Sequence, residues 1–70
     1  MKTRIKIKEA VLDMEVESMK NTCINCFCVN KGDTGLITEV INRYEFKFKD
    51  QYGCKSIGCV QCCKEIKEVF

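Results

Sequence analysis

The 70-residue sequence contains no histidine, no proline and no tryptophan. Histidine is the commonest general acid or base in enzymes and the usual ligand of catalytic zinc, so its absence argues against most enzyme classes. A cysteine nucleophile would also lack the histidine that normally activates it. We therefore expect a protein without catalytic activity.

The sequence also has no long apolar run. Four of the first eight residues are lysine or arginine, but no continuous apolar stretch follows them. This is not the pattern of a secretory signal. No segment approaches the roughly 20 apolar residues that a membrane-spanning helix requires. We expect a cytoplasmic protein that does not associate with membranes.

The sequence also lacks a large excess of either positive or negative charge. The net charge is +2, and the 12 lysines and arginines are spread along the chain among 10 acidic residues. Clustered cations carry the affinity for phosphate backbones, so this balance argues against a strong nucleic-acid surface. The glycines do not form the GxxxxGK[ST] pattern of a phosphate loop.

Cysteine is what the sequence has in excess, with seven residues. A chain this short buries only about 60% of its unfolded surface, so its core needs additional stabilisation. An odd number of cysteines cannot pair completely as disulfides, and CxxC pairs in a reducing cytosol commonly hold metal. These features predict a metal site.

The cysteines fall into two groups, which we call the first knuckle (residues 23–28) and the second knuckle (residues 59–63). Four soft thiolates in a closed tetrahedral site suit structural Zn²⁺. The most regular set of candidate ligands is Cys23, Cys26, Cys59 and Cys62. Cys28 or Cys63 is an alternative member of this set, and Cys54 is a candidate if its strand doubles back.

Other uses of the thiols remain open at this point. An iron–sulfur cluster also takes four thiolates, although its characteristic spacings are not matched. A redox relay through CxxC requires a lowered thiol pKa. Buried or oxidised thiols without metal are the simplest alternative.

The periodicity predicts mostly strands. We expect a strand over residues 4–8, extending towards residue 12, then a mobile arm; a helix over residues 9–19 is the alternative. Residues 36–41 predict a strand, residues 42–43 a turn, and residues 44–48 a strand with an aromatic inner face. A further turn at 51–53 precedes a short strand at 54–58. Residues 59–70 fit either a helix or a helical turn followed by a strand at 66–70.

Residues 31–40, Lys-Gly-Asp-Thr-Gly-Leu-Ile-Thr-Glu-Val, resemble the turn and strand of SH3-like small barrels. The resemblance spans about residues 27–70 and implies a small barrel of bacterial or phage type that binds peptides, proteins or nucleic acids. The chain lacks the proline and tryptophan of a polyproline-binding face. The paired CxxC segments also resemble those of zinc ribbons.

We therefore expect one domain over residues 1–70, with an N-terminal strand and arm (1–22) and a cysteine-stapled barrel (23–70). Its fold class is small all-β or β-rich (α+β), an SH3-like barrel with a short C-terminal helical turn, or alternatively a zinc ribbon. The expected function is that of a zinc-stabilised binding or regulatory module, a bacterial or phage accessory protein with a protein partner. The alternatives are a nucleic-acid-binding zinc ribbon and a thiol redox or metal-responsive protein.

Overall fold

A computed structural model describes residues 1–24 and 27–69, and for residues 22–24 and 27 it describes the backbone alone. The described residues form eight strands: β1 (Lys2–Lys6), β2 (Glu15–Ser18), β3 (Thr22–Ile24), β4 (Phe27–Val29), β5 (Thr34–Val40), β6 (Glu45–Asp50), β7 (Lys55–Cys59) and β8 (Cys63–Glu68). This part of the chain contains no helix, and hence none long and apolar enough to cross a membrane. The expected small all-β domain is confirmed.

Six strands form one antiparallel sheet in the order β1-β8-β2-β5-β6-β7. The other two, β3 and β4, form a separate hairpin, and β4 contacts β7. The two edge strands of the large sheet are therefore β1 and β7. Of these edges, β7 lies against the hairpin that carries the first knuckle.

The N-terminal predictions are partly wrong. The first strand begins at Lys2 instead of residue 4, and neither the helix over residues 9–19 nor a mobile arm is formed. Instead, β2 pairs with β5 on one side and β8 on the other, which gives its backbone groups partners on both sides. Val16 and Ser18 are buried, whereas Glu15 and Glu17 are half-buried, so the period is two.

The central predictions are confirmed for β5, β6 and the turn between them. Phe46 and Phe48 are fully buried, but Tyr44 is 56% exposed and does not belong to the inner face. The side chain of Asn42 explains this difference, because its Oδ1 accepts hydrogen bonds from the backbone N–H groups of Tyr44 (2.8 Å) and Glu45 (3.0 Å). These bonds hold Tyr44 in the turn, before the strand begins.

At the C-terminal end, a turn at residues 60–62 leads into β8, so neither the predicted helix nor a helical turn is found there. The spacing of Cys63 and Ile66 suggested one helical face, but in a strand these side chains lie on opposite faces. Cys63 belongs to the core, while Ile66 lies opposite Arg4 on the outer face. The Arg4 guanidinium reaches Glu17 on β2 (2.8 Å), so it must cross β8 above Ile66. Cys63 is therefore buried by the core and Ile66 by the Arg4 side chain. Because both residues are buried, their spacing in the sequence resembled that of one helical face.

The core lies on the inner face of the large sheet. Its buried members are Ile7, Ala10, Val16, Val29, Ile37, Phe46, Phe48 and Cys63. Met14 and Val60 pack against this cluster. A Cβ atom on Gly58 would lie 2.8 Å from the ring of Phe46. The glycine therefore lets β7 pack directly on the core, next to Cys59.

Candidate metal centre

The second knuckle is a tight turn between β7 and β8. The backbone N–H of Cys62 donates to the carbonyl oxygen of Cys59 (3.1 Å). Two neighbouring segments hold the turn from outside. The backbone N–H of Val60 donates to the carbonyl oxygen of Tyr44 (2.9 Å), and the backbone N–H of Met19 donates to the carbonyl oxygen of Cys62 (2.8 Å). The backbone that carries both cysteines is therefore fixed by the fold itself.

The thiols of Cys59 and Cys62 meet at this turn. The pKa of the Cys62 thiol is raised, first by a hydrogen bond with the Cys59 side chain and then by burial and by the charge of Cys59. Lys20 acts in the opposite direction and lowers this pKa. A thiol whose pKa is raised by a neighbouring thiol marks a site where a bound cation would stabilise both thiolates.

Cys63 has a different environment from its neighbour Cys62. It is 3% exposed, and burial raises the pKa of its thiol to about 11, against a hydrogen bond from the Cys59 backbone. As the first residue of β8 it points into the core. The structure therefore gives Cys63 the role of a small apolar side chain and favours Cys62 as the ligand.

The segment after β2 connects this turn to the first knuckle. Ser18 Oγ donates to the carbonyl oxygen of Lys20 (2.7 Å), which fixes the backbone next to Cys62. The Ser18 backbone also pairs with the turn after β4, donating to Asp33 (2.8 Å) and accepting from Gly32 (2.8 Å). Asp33 stabilises that turn by accepting from the backbone N–H of Asn30 (2.9 Å). No sequence pattern pointed to this role of Ser18.

The first knuckle lies on the β3–β4 hairpin. Its base is closed by Asn21, whose Oδ1 accepts from the backbone N–H of Lys31 (2.7 Å). Cys23 is opposite Cys28 in the hairpin register. Because β4 contacts β7, the hairpin lies beside the strand that ends at Cys59. The topology thus brings the hairpin of the first knuckle beside β7.

The structure describes the side chains of only two of the four predicted ligands. Cys26 and the side chain of Cys23 lie outside the described residues, whereas Cys59 and Cys62 are described and in contact. Within the described part of the chain, no group of three or more histidine, cysteine, aspartate or glutamate side chains is arranged to hold a metal ion. The set of Cys23, Cys26, Cys59 and Cys62 therefore stays a prediction.

Cys54 is too far from Cys59 to share a metal ion with it. It is exposed and precedes β7, whereas Cys59 is the last residue of that strand. A five-residue step along a strand spans about 16 Å, which is too far for both thiols to bind one ion. Its turn is closed by Asp50, whose Oδ1 accepts from the backbone N–H groups of Tyr52 (3.0 Å) and Cys54 (2.8 Å).

Three basic side chains of the large sheet lie beside carboxylates. Arg4 pairs with Glu17 (2.8 Å). Lys2 lies 3.8 Å from Glu15, and Lys47 lies 3.9 Å from Glu39. These neighbours reduce the positive potential that a phosphate backbone would meet.

A comparison of this chain with protein-family models, with curated proteins and with solved structures finds no match.

Proposed function

We propose that this protein is a small zinc-stabilised binding module without catalytic activity. Cys59 and Cys62 supply two thiolate ligands to one structural Zn²⁺, and Cys23 and Cys26 supply the other two. The observation that carries the proposal is the second knuckle, where the fold fixes a CxxC turn and brings its two thiols into contact. A cytoplasmic location is part of the proposal, because a reducing compartment keeps these thiols available for the metal.

The proposal includes an SH3-like barrel. In a flat sheet, β7 and β8 would be four strand spacings apart, or about 19 Å. The chain from Cys59 to Cys63 spans at most about 14 Å, and the turn shortens it further. The sheet must therefore curl until β7 approaches β8, and this curl supports a small barrel.

The zinc site then acts as the staple of that barrel. It joins the hairpin to the β7–β8 turn, and the core inside is small for a chain of this size. A binding role, with a protein as partner, fits a closed metal site that leaves no open coordination position for a substrate.

A thiol redox role is the second candidate, since the contact between Cys59 and Cys62 also suits a disulfide. The raised pKa of Cys62 opposes this role, because it lowers the fraction of reactive thiolate. Zinc would also occupy both thiolates, so zinc-loaded protein should resist oxidation by glutathione disulfide.

Native mass spectrometry of protein purified with zinc and a reducing agent tests the proposal. We expect one zinc ion per chain, lost on chelation, and none in the double variant Cys59→Ser/Cys62→Ser. Cys54→Ser is the matched control and should retain one zinc. Metal-free wild-type protein, or zinc retained by the double variant, would overturn the proposal.

A further inference from the structure

The β1 strand has an open edge. It pairs with β8 on one side, and on its other side it pairs with no strand among residues 1–24 and 27–69. All five of its residues are exposed. Such an edge presents unpaired backbone N–H and C=O groups that an extended peptide can use.

One face of this edge carries two lysines that form no ion pair with any described residue. Lys6 lies directly opposite Lys64 in the β1–β8 register, an arrangement that destabilises a sheet when nothing neutralises it. Glu17 faces Lys64 from β2, but its carboxylate is paired with Arg4. In the described part of the chain, neither lysine has a carboxylate within 4.0 Å. Further along the same face, Lys2 and Arg4 have glutamate partners. The uncompensated charge is therefore concentrated at the C-terminal end of β1.

A cleft of about 430 Å³ lies at this pair of lysines. It is lined by Lys6, Met19, Val60, Gln61, Cys63 and Lys64, which include two cations and no carboxylate. A second lysine pair, Lys49 and Lys55, also lies face to face across β6 and β7. The cleft beside Lys49, however, contains Asp13, Glu15 and Asp50. Of these two clefts, the one at Lys6 and Lys64 is therefore the better suited to an anion.

The opposite face of β1 also carries apolar side chains. A cleft of about 330 Å³ there contains Ile5, Val11 and Met14, together with charged residues of both signs that include Lys6. Ile5 and Val11 are partly exposed. Since side chains alternate between faces along a strand, a peptide added to β1 would meet the lysine cleft and the cleft at Ile5 in turn.

We propose that the β1 edge binds an extended acidic segment of a protein partner. The segment adds a strand to β1, directs carboxylates to Lys6 and Lys64, and directs alternate apolar side chains to the cleft at Ile5. This inference names the partner chemistry of the proposed binding module, but it does not depend on the zinc ligands.

Two other occupants fit the edge less well. Two copies of β1 paired antiparallel about Arg4 would place Lys2 opposite Lys6 of the second copy, which like-charge repulsion disfavours. A nucleic acid would need a track of cations, and the other two cations on this face of β1, Lys2 and Arg4, are already paired with carboxylates. An acidic peptide uses both the lysines and the open backbone groups.

Fluorescence anisotropy with the zinc-loaded full chain tests this inference. The probe is a labelled octapeptide of alternating aspartate and valine, with blocked ends. We expect Lys6→Glu and Lys64→Glu each to weaken its binding by at least about tenfold. Lys55→Glu, on the opposite edge strand, is the matched control and should leave binding unchanged.

Three further probes separate the explanations. A lysine–valine octapeptide should not bind, and N-methylation of alternate backbone amides in the acidic peptide should abolish binding. Absence of binding by the acidic peptide, or equal losses in Lys55→Glu, would overturn the inference. Tighter binding of a single-stranded oligonucleotide that also depends on Lys6 and Lys64 would assign the cleft to nucleic acid and overturn it as well.

Zinc content of each variant is measured in parallel by native mass spectrometry. Peptide binding by a protein that holds no zinc would refute the metal site and leave the peptide inference standing. Loss of zinc in Lys6→Glu or Lys64→Glu with peptide binding retained would show that the lysines serve the metal centre, against this inference.

Discussion

The strand β7 has a cysteine-bearing turn at each end, and the two turns are built differently. Before β7, the carboxylate of Asp50 closes the turn, and the Cys54 thiol is exposed. After β7, backbone hydrogen bonds from Val60 and Met19 hold the turn, and the thiols of Cys59 and Cys62 meet. The turn before β7 is closed by one of its own side chains, whereas the turn after β7 brings the thiols of Cys59 and Cys62 side by side.

The difference shows that spacing alone does not identify a ligand. Cys54 and Cys59 are both candidates on the sequence, but the strand between them separates their thiols. Cys62 and Cys63 are neighbours in sequence, yet one thiol is half-buried beside Cys59 and the other belongs to the core. Position within the fold, more than the number of cysteines, decides which thiols can share an ion.

The largest expected effect is that of removing the metal from the second turn. Chelation, or Cys59→Ser/Cys62→Ser, should abolish cooperative unfolding, because zinc binding to structural sites contributes about 10 kcal/mol or more and a domain this small has a marginal core. Circular dichroism during urea titration measures this. Cys54→Ser, at the other end of β7, should unfold as the wild type does; equal damage in both variants would remove the distinction between the turns.

A smaller effect is expected for Cys63→Ala. Removing a buried sulfur from the core should lower the free energy of unfolding by about 1.5 kcal/mol, as for similar truncations. The zinc content should remain one per chain, because Cys63 is not assigned as a ligand. Loss of the metal in this variant would mean that the roles of Cys62 and Cys63 are reversed.

The turn before β7 should depend on its carboxylate. Asp50→Ala removes the acceptor of two backbone N–H groups and should lower the free energy of unfolding by about 1 kcal/mol, measured by chemical denaturation. Asp50→Asn retains an acceptor oxygen and serves as the control, with a smaller loss. If Asp50→Ala had no effect while Cys54→Ser destabilised the protein, the thiol would be what closes this turn.

The smallest perturbation is chemical labelling of the thiols. In zinc-loaded protein, iodoacetamide should alkylate Cys54 well before Cys63, because burial both shields Cys63 and raises the pKa of its thiol to about 11. Peptide mapping at increasing reaction times gives the two rates. Comparable rates would contradict the assignment of Cys63 to the core.

The strands that the sequence predicted well are those with one buried face. In β6, Phe46 and Phe48 alternate with charged residues, and this period of two survives in the fold. Predictions were wrong or left open where side chains on both faces of a strand are buried, as for Cys63 and Ile66 in β8. The helical spacing over residues 9–19 was misleading because β2 pairs with strands on both sides.

For the candidate site, the sequence predicted that Cys59 and Cys62 lie together, because the CxxC spacing is a local property of a turn; their role as ligands stays a prediction. It could not identify Ser18 and Met19, which hold the turn through contacts between distant segments. The role of Asp50 was also missed, since an aspartate before a turn is common. Contacts of this kind depend on the order of strands in the sheet, which local patterns do not encode.

X-ray absorption at the zinc edge tests the central claim most directly, because it counts the ligands of the bound ion. The account predicts four sulfur neighbours at about 2.3 Å and no nitrogen or oxygen in the first shell. Cys59→Ser and Cys62→Ser should each replace one sulfur or lose the metal, whereas Cys54→Ser should leave the spectrum unchanged. A site with fewer than four sulfurs in the wild-type protein, or a spectrum altered by Cys54→Ser, would contradict the account.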